Sequence, residues 1–463
     1  MTELERLIGA KREHFLEELK EFLRIPSIST LSERSADVQR AAEWVAAQLR
    51  AAGMAHVEIV PTAKHPVVYG EWLGAPERPT VLIYGHYDVQ PAELEAGWQS
   101  DPFVPEVRDG NLYARGASDD KGQVYANIKA IQLLMETRGA LPVNVKVLIE
   151  GEEEIGSPNL DGFIAAHKER LRADVVVVSD TAMQSLTQPS IVYGLRGLVY
   201  VELEVRGPER DLHSGGFGGV VHNPAQALCE IIAALHHPDG RVAVEGFYDK
   251  VRPLTAEERA IIAQTEVSEA EWRRLTGAPQ PWGEAGYSLR ERVGARPTLE
   301  INGLWGGFTG EGSKTVLPSK ATAKISCRLV PDQDPYEIEA LLRAQIAKLA
   351  PPTVRWELRA LNHGYPALVP LDSAAMECAV TAYERGFGAR PLFLREGGSI
   401  PVVATFTQTY GAPVLLVGYG LPDDGAHGPN EKFALECLYR GIHTSAILLE
   451  ELGKRTPEAL RRS

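Results

Sequence analysis

TVLIYGHYDV, residues 80–89, runs from β-forming apolar residues straight into a histidine and an aspartate. The run 80–85 reads as a buried strand. In an extended chain residues two apart face the same side, so His86 and Asp88 would stand together. An imidazole beside a carboxylate suits a metal ligand with the group that orients it. It equally suits a structural His–Asp hydrogen bond. The segments around this run alternate in type. ADVQRAAEWVAAQLRAAG (36–53) and KGQVYANIKAIQLLMETRG (121–139) space apolar residues at helical intervals and stop at glycine, while NVKVLIEG (144–151) and ADVVVVSD (173–180) are strands. PNLDGFIAAHKERL (158–171) reads as one helix between them. Strands alternating with helices predict an α/β domain whose central sheet is mostly parallel and flanked by helices.

The pattern changes near residue 191. IVYGLRGLVYVELEVRG reads as one long antiparallel strand, NPAQALCEIIAALHH (223–237) as a helix, KATAKISCRLVP (320–331) as a strand and DPYEIEALLRAQIAKL (334–349) as a capped helix. Residues 238–298 are polar and read as an insertion. From about 365 the first pattern returns, with a helix at 372–387, a strand at 413–420 and a helix at 431–453. The expected organisation is a catalytic domain (1–195 and 365–463) interrupted by a smaller α+β domain (196–364).

Composition is that of a globular chain: 463 residues, 44% hydrophobic and 24% charged. The net charge of −14 argues against nucleic acid or an anionic membrane as partner. No apolar run approaches the roughly 20 residues of a membrane span. The opening stretch is charged and amphipathic, without the apolar region of a secretory leader. Cys229, Cys327, Cys378 and Cys437 each sit in an apolar run and none is spaced for a metal clip, so they read as buried free thiols. A cytoplasmic protein is expected.

Acidic and imidazole groups follow the ends of several strand runs. RGASDDKG (115–122) places Asp119 and Asp120 before a helix, where capping is the ordinary role of aspartate. EGEEEIGS (150–157) carries Glu152, Glu153 and Glu154; Asp180 ends the VVVVSD strand; His427 lies in DDGAHGPNEK after PVLLVGYG. Ligands in open α/β sheets gather at the carboxyl ends of strands. Two like charges roughly 4 Å apart repel by about 4 kcal/mol at an effective dielectric of 20. Such a cluster therefore protonates or holds cations. Imidazole with carboxylate suits zinc, manganese or cobalt. The cluster points to a divalent metal site, with two ions in the simplest reading. Asp120 reads as a cap or supporting group, Glu152 as solvated, His222, His236 and His237 as structural, and Trp305 as packing. Neither a GxxxxGK loop nor a GxSxG elbow occurs.

Taken in order, YGHYDV, RGASDDKG, EGEEEIGS, VVVVSD and AHGPNEK resemble the M20 metallopeptidase family. DLHSGGFGG (211–219), GSKTVLPSKATAKISCRLVP (312–331) and REGGSIPV (395–402) resemble its cytosolic nonspecific dipeptidase and carnosine dipeptidase branch. The resemblance implies two divalent ions per subunit, zinc or manganese. It implies Asp119 as the bridging carboxylate, His86 and Asp180 on one ion, and Glu154 and His427 on the other. Glu153 matches the general base that acts on a water between the ions, and Asp88 matches the group orienting the first histidine. A cis peptide is implied at Asp119–Asp120. The inserted domain is implied to be a lid that forms a homodimer, with His213 reaching the partner's active site. Thr315, Arg328, His363 and Ser399 match substrate contacts. The implied reaction is hydrolysis of dipeptides; an alternative within the family is an N-acyl or N-carbamoyl amino acid amidohydrolase.

Overall fold

The computed structural model describes residues 2–461. The chain forms two compact units. One contains the chain up to Tyr193, Val369–Leu394 and the chain from Val402 onward; the other contains Gly194–Leu368 and Arg395–Pro401. The short Arg395–Pro401 piece thus groups with the second unit, whereas the sequence boundary at 365 puts it in the first.

In the first unit the sheet runs His56–Val60, Val67–Trp72, Asn144–Glu150, Thr80–His86, Val175–Val178, Val414–Leu416, Ser190–Leu195. The inner four strands are mutually parallel. The flanking pairs are antiparallel, which makes the sheet mixed. The inner strands are continuous apolar runs because both faces are covered: all of Val175–Val178 is buried. The helix Lys121–Arg138 packs against Leu435–Gly453 and Glu3–Leu23. It ends at Gly139, whose φ of 68° is a left-handed stop that glycine adopts without steric cost.

The second unit holds an antiparallel sheet in the order Thr298–Gly306, Lys320–Leu329, Gly197–Arg206, Arg355–Gly364. Alternation sorts the Lys320–Leu329 strand: Ala321, Ala323, Ile325, Cys327 and Leu329 enter the core with residues of the helices Pro224–Ala233 and Pro335–Leu349. Ser326 and Arg328 alternate with them and so lie on the other face. Asp334 caps the second helix by accepting from the N–H groups of Tyr336 and Glu337.

Several expectations are corrected. The long strand expected from 191 is two, Ser190–Leu195 and Gly197–Arg206, interrupted at Arg196. There the Arg196 N–H donates to Gly398 and its carbonyl accepts from Ser399, so residues distant in sequence replace the ladder. The helix expected at 158–171 breaks at His167 into Leu160–Ala166 and Lys168–Leu171. The polar stretch 238–298 contains three short helices, Ala256–Ala263, Glu269–Thr276 and Leu289–Gly294. Thr255 with Glu258, and Ser288 with Glu291, form capping boxes there, a pattern visible in the sequence. Cys229 is exposed rather than buried; the other three cysteines are buried and all four are free. Among the described residues no helix is long and apolar enough to cross a membrane.

Candidate metal centre

Every part of the centre lies in the first unit, at the carboxyl ends of its parallel strands. His86 is the last residue of Thr80–His86. Its neighbour Asn144–Glu150 leads through Gly151 into a tight turn, Glu153–Ile155, that carries Glu153 and Glu154. Asp180 follows Val175–Val178, and Asp119 precedes the helix Lys121–Arg138. His427 lies in the loop after Val414–Leu416, with a left-handed φ of 62°.

Asp119 faces both imidazoles. Its Oδ1 lies 3.1 Å from His86 Nε2, and its Oδ2 lies 3.0 Å from His427 Nε2. Asp180 Oδ1 is 3.8 Å from His86 Nε2, and Glu154 Oε2 is 3.2 Å from His427 Nε2. Two groups result, His86–Asp119–Asp180 and Asp119–Glu154–His427, each with ligand atoms within 4.8 Å of one another. A mixed nitrogen and oxygen donor set fits zinc or manganese.

Asp88 is fully buried behind this array. Its carboxylate accepts the Glu153 N–H at 3.2 Å and the Glu154 N–H at 3.1 Å. Its Oδ1 is 3.4 Å from His86 Nδ1, and its carbonyl oxygen is 3.1 Å from the same nitrogen. Asp88 thus fixes both the imidazole and the glutamate turn. The Asp119–Asp120 peptide is cis. Asp120 is not a side-chain cap: its side chain accepts no hydrogen bond from the first turn of the helix, and its Oδ2 accepts the His86 N–H at 3.2 Å. Gly85 is needed here, because a Cβ would sit 2.7 Å from that same oxygen.

Burial opposes charge throughout. For His86 burial disfavours the cation, but hydrogen bonds to Asp119, Asp180 and Asp88 outweigh it and raise the pKa well above its usual range. Hydrogen bonds to Asp119 and Glu154 raise His427 to about 10. Burial lifts Asp180 to about 6 and, with repulsion from Asp180, Glu154 and Asp119, lifts Glu153 well above the carboxylate range. The carboxylates repel one another and favour protons on the imidazoles between them, an arrangement in which cations substitute for protons.

Three supporting residues were not legible from the motifs. Gln90 donates to Glu154 Oε2 at 2.7 Å. Glu431, fully buried, accepts the N–H groups of Gly116, Ser118 and Asp119 at 2.8–3.0 Å and pairs with buried Arg115 at 2.8 Å. Asp424 accepts from Ser118 Oγ and Lys432 Nζ, each at 2.9 Å. Glu431 lies four residues beyond His427, a spacing that marks one loop as serving both; a lone glutamate before a lysine gave no such signal. Glu152 is corrected too. It is buried, not solvated, and accepts from Thr62 Oγ1, His65 N and Asn159 Nδ2. Replacing Glu431 by alanine leaves Arg115 buried without its partner and three N–H groups unmet. The expected loss of stability is about 3–5 kcal/mol, read from urea unfolding; a loss below about 1 kcal/mol would show that the loop is held by other groups.

The remaining sequence candidates belong to the second unit. Arg328 NH1 donates to Ser399 Oγ at 2.9 Å. His213 is exposed; its Nδ1 accepts the Gly215 N–H at 2.9 Å, which leaves the proton on Nε2. Thr315 is adjacent, its carbonyl accepting the Ser214 N–H at 3.1 Å. His363 is engaged elsewhere, 2.9 Å from Glu339 and stacked on Tyr336 at 4.5 Å. His222 and His236 hold Thr353 and the Leu299 carbonyl, as structural histidines do. Trp305 is 46% exposed, more than a packing residue would be.

Paired imidazole–carboxylate groups at the strand ends of an α/β sheet have the make-up of a protein that holds divalent ions. The family model for peptidase family M20/M25/M40 matches residues 82–451, and the chain belongs to that family. It is a peptidase. The Cys-Gly metallodipeptidase dug1 of Schizosaccharomyces pombe is 35% identical over 99% of both chains. The crystal structure of human carnosine dipeptidase 1 superposes with a TM-score of 0.85 at 30% identity, covering 98% of each chain. The M20 metallo-carboxypeptidase Sso-CP2 of Sulfolobus solfataricus superposes with a TM-score of 0.87 at 34% identity, covering 95% of this chain and 99% of its own.

Proposed function

We propose that the protein hydrolyses the peptide bond of dipeptides with two divalent ions, zinc or manganese, and with Glu153 as general base. The observation that carries this reading is Asp119, which offers one carboxylate oxygen toward each histidine and so joins two ligand groups. The printed activities of the similar dipeptidases support the substrate class. Ions held by these residues supply Lewis-acid polarisation of the scissile carbonyl and lower the pKa of the attacking water. Glu153 takes the proton from that water and delivers it to the departing amine. The hydrogen bond from its N–H to Asp88 keeps its turn in register with His86.

Arg328, backed by Ser399, takes the substrate's terminal carboxylate, with Thr315 as a further contact. A clamp on the terminal carboxylate favours short substrates, because a C-terminal extension collides with it. His213 acts across a homodimer, its Nε2 proton donated to the oxyanion of the partner's substrate. A reducing cytoplasmic location fits the four unbridged cysteines.

The test is amino acid release from dipeptides, their C-terminal amides, a tripeptide, and matched N-acetyl and N-carbamoyl amino acids, after chelation and after Mn or Zn add-back. Metal-dependent release from free-carboxylate dipeptides is expected; release only from the N-blocked compounds would move the enzyme to the amidohydrolase side. His213→Ala is expected to lower kcat about a hundredfold, as loss of one oxyanion donor does. Mixed dimers of His213→Ala and Glu153→Gln chains should regain activity, since one composite site would be intact. No regain in verified mixed dimers assigns the site to one chain.

A further inference from the structure

Four arginines, Arg196, Arg292, Arg296 and Arg328, line one cavity of about 350 Å³ in the second unit, against two carboxylates, Glu284 and Glu300. In a chain with net charge −14, this is a concentration of positive charge. Arg296 is neutralised, both oxygens of Glu284 receiving its Nε and NH2 protons at 2.7 Å. The other three are held by neutral oxygens. Arg196 Nε donates to the Gly397 carbonyl at 3.0 Å, Arg292 NH1 to the Trp282 carbonyl at 3.0 Å, and Arg328 NH1 to Ser399 Oγ at 2.9 Å. Among the described residues none of the three forms an ion pair with a carboxylate, and Arg292 Nε is buried with no partner. Other arginines of this unit do pair: Arg252 with Asp332, Arg259 with Glu291, Arg395 with Glu258.

Grouping unpaired, half-buried guanidinium ions is costly, and the cost is recovered when an anion enters. Burial and the neighbouring Arg328 lower Arg196 to about 10, against a smaller opposing effect of Glu300, consistent with repulsion between the two guanidinium groups. The volume lies in the range of small-ligand sites. Under the proposed function Arg328 takes the terminal carboxylate, and the present inference rests on that reading. Arg196 and Arg292 remain, in the same cavity, with no anion assigned. The second anion that a dipeptide can carry on its C-terminal residue is a side-chain carboxylate.

We infer that Arg196 and Arg292 form a second carboxylate subsite beside Arg328, which selects dipeptides ending in glutamate or aspartate. Arg292 lies on the helix Leu289–Gly294, so the subsite gives the polar 238–298 stretch a function. Guanidinium–carboxylate hydrogen bonds discriminate against neutral isosteres, because the isostere leaves the cation without a matching charge.

The experiment compares kcat/KM of the metal-loaded enzyme for Ala-Glu against Ala-Gln, Ala-Asp against Ala-Asn, and Ala-Ala. The acid is expected to exceed its amide by about tenfold or more, and Arg292→Gln is expected to bring the ratio toward one. An acid-to-amide ratio near one in the unaltered enzyme for both pairs overturns the inference, whatever the variant does. So does an unchanged ratio in folded Arg292→Gln; if that variant does not fold, Arg196→Gln is read the same way. Turnover of Ala-Ala reports separately on the dipeptidase reading. If no dipeptide is cleaved, calorimetric binding of Ala-Glu and Ala-Gln to the protein decides the subsite alone. Tighter binding of Ala-Glu supports it, and equal affinity overturns it.

Discussion

Glu153→Gln is expected to lower kcat about a thousandfold, within the range supplied by a positioned general base, while both ions stay bound. Glu153 belongs to neither ligand group, so exchanging its carboxylate for an amide of the same shape leaves both groups complete. Its main-chain N–H still reaches Asp88, so the turn that carries Glu154 keeps its position. What is lost is the only function that an amide cannot perform, accepting and returning a proton. Single-turnover rates with metal content measured on the same sample check this. A thousandfold loss with wild-type metal content fits a base; loss of metal in parallel would make Glu153 a ligand, and unchanged turnover would remove it from the mechanism.

Asp119→Ala is expected to abolish activity by a different route, through loss of both ions together. The two imidazoles lie on opposite oxygens of this one carboxylate, so its removal takes a ligand from each group at once. Removal of Asp180 or Glu154 takes a ligand from one group only. The expected readout is an affinity for Mn or Zn weakened by more than about a hundredfold, beyond the effect of losing a mere supporting contact. Ligand-linked stabilisation disappears with it: an ion at a hundred times its Kd adds about 2.7 kcal/mol to the native state, and the variant's melting temperature should no longer respond to that concentration. Retention of one ion at wild-type affinity would show two independent sites rather than a shared carboxylate.

The contrast between Glu153 and Glu152 shows what a motif conveys. Both lie in EGEEEIGS, and the apolar strand before them announces that the acids lie at a sheet edge. Which of them face the ligands and which one turns inward depends on the tight turn Glu153–Ile155. Glu152 enters a pocket of donors from Thr62, His65 and Asn159, about 90 residues earlier or a few later, and no local pattern encodes that. Arg196 is similar. Its neighbours alternate as one strand would, yet Gly398 and Ser399 bind its backbone and end the ladder.

By itself the sequence determined the strand–helix alternation of the first unit, the placing of His86, Glu153, Glu154 and Asp180 where strands end and of Asp119 before a helix, and the family to which the chain belongs. These are local properties: apolar run length, periodicity and residue type report burial and chemistry within a few residues. The tertiary structure alone decided which oxygen of Asp119 faces which histidine, that Glu431 holds the Asp119 loop, and that Arg196, Arg292 and Arg328 share a cavity, none of the three forming an ion pair among the described residues. Those are relations between segments tens to hundreds of residues apart. Whether a charge is paired, buried or aimed at a neighbour is set by packing among such segments, which no single stretch of chain records.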